Sequence, residues 1–152
     1  MERGNPVSKI AAAALLVAFL TVSRAVSSAE QLVLIVSADS KVEQLDSLEV
    51  RKLFLGLTVT HNGDRLRPVL DEADSRVKAI FLQNIVSMSD TTYDRNVLRL
   101  ALIQGQIKPI AYKDIGLLIN AVIADPTAVS YAWAKDVMHD SRIKILRVLW
   151  YD

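Results

Sequence analysis

Leu32-Val33-Leu34-Ile35-Val36 is an unbroken apolar run closed by Ser37-Ala38-Asp39-Ser40. A strand with one wet face alternates apolar and polar side chains, because successive residues point to opposite sides of a sheet. Five apolar residues in a row leave neither side polar. The run therefore predicts a strand buried on both faces, the kind found inside an α/β sheet.

After this strand the periodicity changes. Val50, Leu53, Phe54 and Leu57 recur at i, i+3, i+4 and i+7, which predicts a helix capped by Asp46 or Ser47. Gly56 supplies its left-handed stop, with Leu57 folding back on the last turn. His61-Asn62-Gly63-Asp64 is turn chemistry, and Arg65 to Leu70 reads as a strand. Pro68 has no N–H to donate, which predicts an edge or irregular position for that strand. Val77, Ile80, Phe81, Ile85 and Met88 form the next helix stripe, starting near Asp74 or Ser75. Another helix begins near Thr91-Thr92, turns Tyr93, Val97, Leu100 and Ala101 inward, and ends at Gly105. Gln106 to Pro109 is a connector, and Ile115, Leu118, Ile119 and Val122 give a fourth stripe. Beyond the turn at Asp125-Pro126-Thr127, Val129, Tyr131 and Trp133 alternate as a short strand. A loop over 139–142 leads to a last strand, Ile143 to Trp150. The order predicts an α/β fold: a single three-layer domain whose mixed sheet of about four strands has helices on both faces. A length of 152 residues suits one domain.

The first 29 residues read as something other than fold. Arg3 and Lys9 face one acid, Glu2, and Ile10 to Val22 is a charge-free run. At ~1.5 Å per residue such a helix is too short to cross a bilayer, but it suits a secretory leader. Small residues follow, predicting cleavage after Ala29, with Ala25 as the second position. An uncleaved N-terminal anchor is the alternative, kept open by Arg24. Cleavage leaves residues 30–152 as the mature domain with no transmembrane segment. Removing Arg3, Lys9, Arg24 and Glu2 changes the net charge from +1 to −1. Neither value gives a field for nucleic acid or an anionic membrane. The chain has no cysteine, which excludes disulfides, thiol catalysis and Cys-based zinc sites, and suits export to a bacterial periplasm.

Asp74-Ser75-Arg76-Val77-Lys78 opens a helix directly after a strand. Free N–H groups at a helix start, the Ser75 hydroxyl and the cations Arg76 and Lys78 form a candidate site for a phosphate or carboxylate. An ordinary N-cap among solvated charges is the competing reading, and the charge of Asp74 opposes an anion. Arg65 and Arg67, two apart on a strand, read either as an anion clamp or as a solvated edge that discourages strand pairing. His61 and His139 have no placed partners, so neither a metal site nor a catalytic triad is read. Tyr131, Trp133, Trp150 and Tyr151 read as core packing of two terminal strands or as a stacking surface. No cofactor motif is present.

Taken together, Phe54-Leu55-Gly56, Asn62-Gly63, Pro68-Val69, Asp71, Ser75, Lys78 and Phe81 stand in a recognisable order. Gly105-Gln106 with Pro109, and Asp125-Pro126 to Tyr131, continue it. This order resembles the small periplasmic proteins labelled phosphate ABC transporter substrate-binding-like, which are similar to one lobe of a type II periplasmic phosphate-binding protein. The resemblance implies an exported, non-enzymatic, small-anion-binding protein associated with transport. Phosphate is the expected kind of ligand, and a membrane transporter or sensor the expected kind of partner. It also implies that the helix start at Ser75, Arg76 and Lys78 faces the anion. The sequence departs from the full-length pattern at Ala73-Asp74-Ser75-Arg76, which stands where those proteins carry Ser-Gly-Thr-Arg. A second class remains open: a periplasmic accessory or protein-interaction domain that keeps the fold without a ligand.

Overall fold

The structure, a computed structural model, describes residues 30–106 and 108–152. The expected leader lies outside the described residues. The apolar run forms β1 (Gln31–Ser37), and Leu32 through Val36 are each at most 1% exposed. Both neighbours of β1 are antiparallel to it. On one side lies β6 (Ala128–Trp133), with Leu34 opposite Tyr131. On the other lies β7 (Ile143–Tyr151), with Leu34 opposite Arg147. β4 (Arg67–Asp71) runs parallel to β6 and to the short β5 (Ile110–Tyr112). The five-stranded order is β5-β4-β6-β1-β7, and β2 (Thr60–His61) with β3 (Asp64–Arg65) forms a separate hairpin.

Alternation along β1 feeds two cores. Leu32, Leu34 and Val36 point to the larger one, with Val129, Tyr131 and Trp133 of β6. Val33 and Ile35 point to the other face, with Ala128 and Ala132. The larger core is roofed by α1 (Ser47–Phe54), α2 (Ser75–Phe81) and α3 (Asp90–Gln104). The smaller is roofed by α4 (Ile115–Ala124) and α5 (Ala134–Val137). The expected three-layer α/β domain is present. At the centre of the larger core Phe81 stacks on Tyr131 at 3.8 Å, and Phe54 meets Phe81 edge-on at 4.7 Å. Buried hydroxyls need partners. Tyr131 donates to the Asp71 carbonyl at 3.3 Å, and Tyr93 donates to the Phe54 carbonyl at 2.7 Å.

The structure corrects several expectations. The strand expected over Arg65 to Leu70 is two strands, and β4 is internal rather than an edge. Pro68 is accommodated because it pairs only with β6, opposite Val129, while pairing with β5 begins at Val69. The helix expected to continue through Met88 stops as α-helix at Phe81 and widens into a π-helical turn, Leu82–Val86, ended by Ser87 at φ +61°. This turn lets Leu82 and Val86 both stay buried. β5 and α5 are additions, each too short to carry a period.

Local chemistry sets the limits of α1. Asp46 accepts from the Glu49 N–H at 2.7 Å while Glu49 accepts from the Asp46 N–H at 2.8 Å, a reciprocal cap. At the other end Gly56 has φ +84°. The Leu57 N–H donates to the Lys52 carbonyl and the Gly56 N–H to the Leu53 carbonyl, each at 3.0 Å. These two bonds satisfy carbonyls that the helix leaves open. A Cβ added at Gly56 would sit 2.7 Å from Gln106 Oε1. The Gln106 side chain can swing aside, so the cost of Gly56→Val comes from a β-branched side chain at positive φ. The substitution should lower unfolding free energy by about 1 kcal/mol or more in chemical denaturation. An unchanged midpoint would contradict a left-handed backbone at Gly56.

Candidate functional site

Three parallel strands deliver their ends to one side of the sheet. β4 leads into α2, β5 into α4 and β6 into α5. The β4–α2 corner is built by hydrogen bonds from loop backbone. The Ala73 N–H donates to Asp71 Oδ1 at 2.9 Å, and the Glu72 N–H donates to the Tyr112 carbonyl at 2.8 Å. Asp74 caps α2, accepting from the Arg76 N–H at 2.8 Å. Its other oxygen accepts from Trp133 Nε1 at 2.9 Å, which ties the helix start to the end of β6. The Trp133 hydrogen bond, followed by that from the Arg76 N–H, holds the Asp74 carboxyl below its ordinary pKa.

Ser75, Arg76 and Lys78 all lie on α2, but only Ser75 and Arg76 stand exposed at its start. Arg76 pairs with Glu30, lies 3.6 Å from Asp152, and stacks its guanidinium 5.4 Å from the centre of Trp133. Lys78 is enclosed between Glu72 at 2.7 Å and Asp90 at 2.8 Å, with only 13% of its side chain exposed. Burial disfavours its charge, but the hydrogen bonds with Asp90 and Glu72 outweigh that and raise its pKa. Lys135, not singled out in the sequence, flanks the other side of the corner. It lies 3.6 Å from Glu30 and 5.8 Å from the Trp133 ring centre. The only sequence signal for it is its spacing of two from Trp133 at the start of α5.

The corner therefore presents two exposed cations that cover the buried Trp133 ring, and the carboxylates of Glu30, Asp74 and Asp152. The N–H of Arg76, which an incoming anion would use, already faces Asp74. The pairs on Arg76 are solvent-exposed, and such pairs contribute about 0–1 kcal/mol each, so displacing them costs little. Arrangement and charge together permit a weakly held oxyanion against Arg76 and Lys135.

Of the other sequence candidates, Arg65 lies in β3 and Arg67 in β4; both line one hollow near the start of β4, and Arg67 pairs with Asp125 at 2.8 Å. His139 has Asp140 beside it, but Arg142 holds that carboxylate in two contacts, at 2.9 and 2.8 Å, and its pKa falls to about 2. Tyr131 and Trp133 are buried core residues, Trp150 packs on Trp133 at 6.2 Å, and Tyr151 is exposed.

Asp71, in the sequence only a motif position, is 2% exposed at the end of β4. Burial pushes its pKa up; the Ala73 N–H partly opposes this, and the charges of Asp136 and Asp74 add to it, leaving it at about 6. The folded chain keeps this proton up to pH of about 6, whereas the unfolded chain releases it near 3.8. The fold binds more protons in that window, so this group's contribution to stability falls as pH rises through it. Asp71→Asn removes the effect while keeping an acceptor for the Ala73 N–H. In denaturation series the variant should gain on the parent between pH 4 and 7, by up to about 3 kcal/mol at one pKa unit per 1.36 kcal/mol. A difference that stays constant with pH would contradict this.

No protein-family model matches the sequence, and no curated protein matches it. Solved structures do match. An ABC-type phosphate transport receptor from Vibrio cholerae superposes with a TM-score of 0.58 at 14% identity, over 78% of this chain and 46% of that one. A Clostridium perfringens protein solved with bound phosphate, provisionally described as a phosphate ABC transporter substrate-binding protein, gives 0.60 at 16%, over 78% and 45%. PstS from Borrelia burgdorferi gives 0.55 at 14%, over 78% and 47%. The chain is thus similar in fold to these proteins and spans under half the length of each. Among the described residues no helix is long and apolar enough to cross a membrane.

Proposed function

We propose that the chain is an exported, non-enzymatic binding protein that takes a small phosphate-like anion beside a membrane transporter. In this reading residues 1–29 are a leader removed on export to the periplasm, and 30–152 work as one domain. The observation that carries it is the shared lobe fold: this chain has the architecture of about half of a phosphate transport receptor. The site in this reading is the helix start at Ser75 and Arg76, flanked by Lys135; Lys78, in the next turn, is already neutralised by Glu72 and Asp90. Asp74 keeps affinity low, since its carboxylate competes for the Arg76 N–H. A single lobe also leaves the ligand open to water, where charge-assisted hydrogen bonds gain less.

The second reading, an accessory or protein-interaction domain that binds no ligand, is favoured by one feature. Arg76 and Lys78 are each already paired with two carboxylates of the chain itself.

Calorimetric titration with phosphate and sulfate separates the readings. Anion binding predicts a dissociation constant nearer millimolar than micromolar, about −4 kcal/mol. Asp74→Asn keeps a good helix cap while removing the repelling charge, so it should tighten binding severalfold. Ser75→Ala with Arg76→Ala should abolish binding. No heat from the parent or from Asp74→Asn would leave the accessory-domain reading.

A further inference from the structure

The far end of β4 carries a cavity that the β4–α2 corner does not use. It has a volume of about 210 Å³ and opens between the end of α1, the start of β4 and the start of β5. Leu53, Leu57, Leu66, Pro68, Pro109 and Ile110 line it. Two of these keep much of their surface in water, Leu57 at 41% and Ile110 at 47%. Apolar side chains that line a hollow and stay wet provide a contact surface for an apolar body.

The mouth of this hollow is cationic, carrying Arg65, Arg67 and Lys108. Arg67 is neutralised by Asp125. Among the described residues the paired cations are Lys41, Arg67, Arg76, Lys78, Lys135 and Arg142, so no carboxylate pairs with Arg65 or Lys108. Two uncompensated charges therefore stand over an apolar floor. A hydrated inorganic anion gains nothing from such a floor, and an uncharged hydrocarbon gains nothing from the rim. An anion attached to an apolar body uses both. The volume is below the ~300 Å³ at which sites for drug-sized ligands begin, so the ligand is small.

We propose that this cavity is a second binding site, for a small free monocarboxylate with a short apolar body. The carboxylate lies between Arg65 and Lys108, and the hydrocarbon rests on Leu57, Pro68 and Ile110. The site is independent of any anion at Ser75 and Arg76, from which the length of β4 separates it. Both rim cations are exposed, so binding is weak and falls as salt rises.

Titration of the ¹⁵N-labelled protein with octanoate, followed by amide chemical shifts, tests this directly. Saturable shifts should appear at Gly56, Leu57, Arg65, Leu66 and Ile110, with none at Ser75 or Arg76. On the unaltered protein, 1-octanol should bind at least about fivefold more weakly, since it lacks the charge. Arg65→Ala with Lys108→Ala should weaken octanoate by a similar factor and leave octanol unchanged. Octanol binding as well as octanoate, no shift at about 10 mM octanoate, or shifts centred on another face would each overturn the proposal. A failure of phosphate binding at the corner reads on different amides and leaves this result intact.

Discussion

β1 is the constraint on which the rest of the structure depends. Its five central residues are essentially inaccessible, it pairs on both edges, and its side chains supply the floor of both cores. Burying one such aliphatic side chain contributes about 1.5–3 kcal/mol, and none of the five has a wet alternative. Both helical layers are therefore required by one strand. The antiparallel placement of β1 between β6 and β7 keeps β4, β5 and β6 parallel on one side, and that parallel set points three helix starts in one direction. The geometry of the candidate corner follows from the strand that lies next to it.

At that corner a single carboxylate links stability to function. Asp74 caps α2 and accepts from Trp133 of β6, so it holds the helix start against the sheet. The same contact fills the position an anion would use. Asp71, three residues earlier, is buried with a raised pKa, so the end of β4 carries two carboxylates in opposite electrostatic states. A corner built this way is organised by the chain's own acids, and an external anion has to compete with them. The cavity at the other end of β4 has the reverse character: apolar walls and a cationic rim on which, among the described residues, Arg67 alone is paired with an acid. The two ends of one strand thus differ in what they can hold.

Much of the fold is legible in the residues because long elements carry a period. The 50/53/54 stripe, the Asp46 cap and the Gly56 stop appear in the structure as read, whereas Leu57 lies past the end of α1 and is 41% exposed. The stripes of α3 and α4 do as well. What escapes a reading of the sequence is short or depends on partners. β5 has three residues, α5 has four, and the π turn after Phe81 preserves burial without preserving a helical period. Pro68 signals an edge or irregular strand; the break between β3 and β4 supplies the irregularity, and only the register with β5 shows that an inner strand can carry a proline near its end. For the corner, residue types near Ser75 and Arg76 are visible in the sequence. The pairing of Arg76 with Glu30 and Asp152 spans most of the chain and has no local signal. Lys135 joins the corner only because β6 ends beside α2.

Native-state hydrogen exchange tests the central claim most directly, because it reports which strands open only when the whole domain unfolds. The amides of β1 and of the β6 residues opposite them, Val129 to Ala132, should exchange only through global opening. Their exchange free energies should equal the unfolding free energy measured by denaturation, while the exposed second half of α3 and the β2–β3 hairpin exchange through smaller openings. If Leu32 to Val36 instead exchange through a lower-energy opening than the helices that pack on them, β1 is not the spine of the domain.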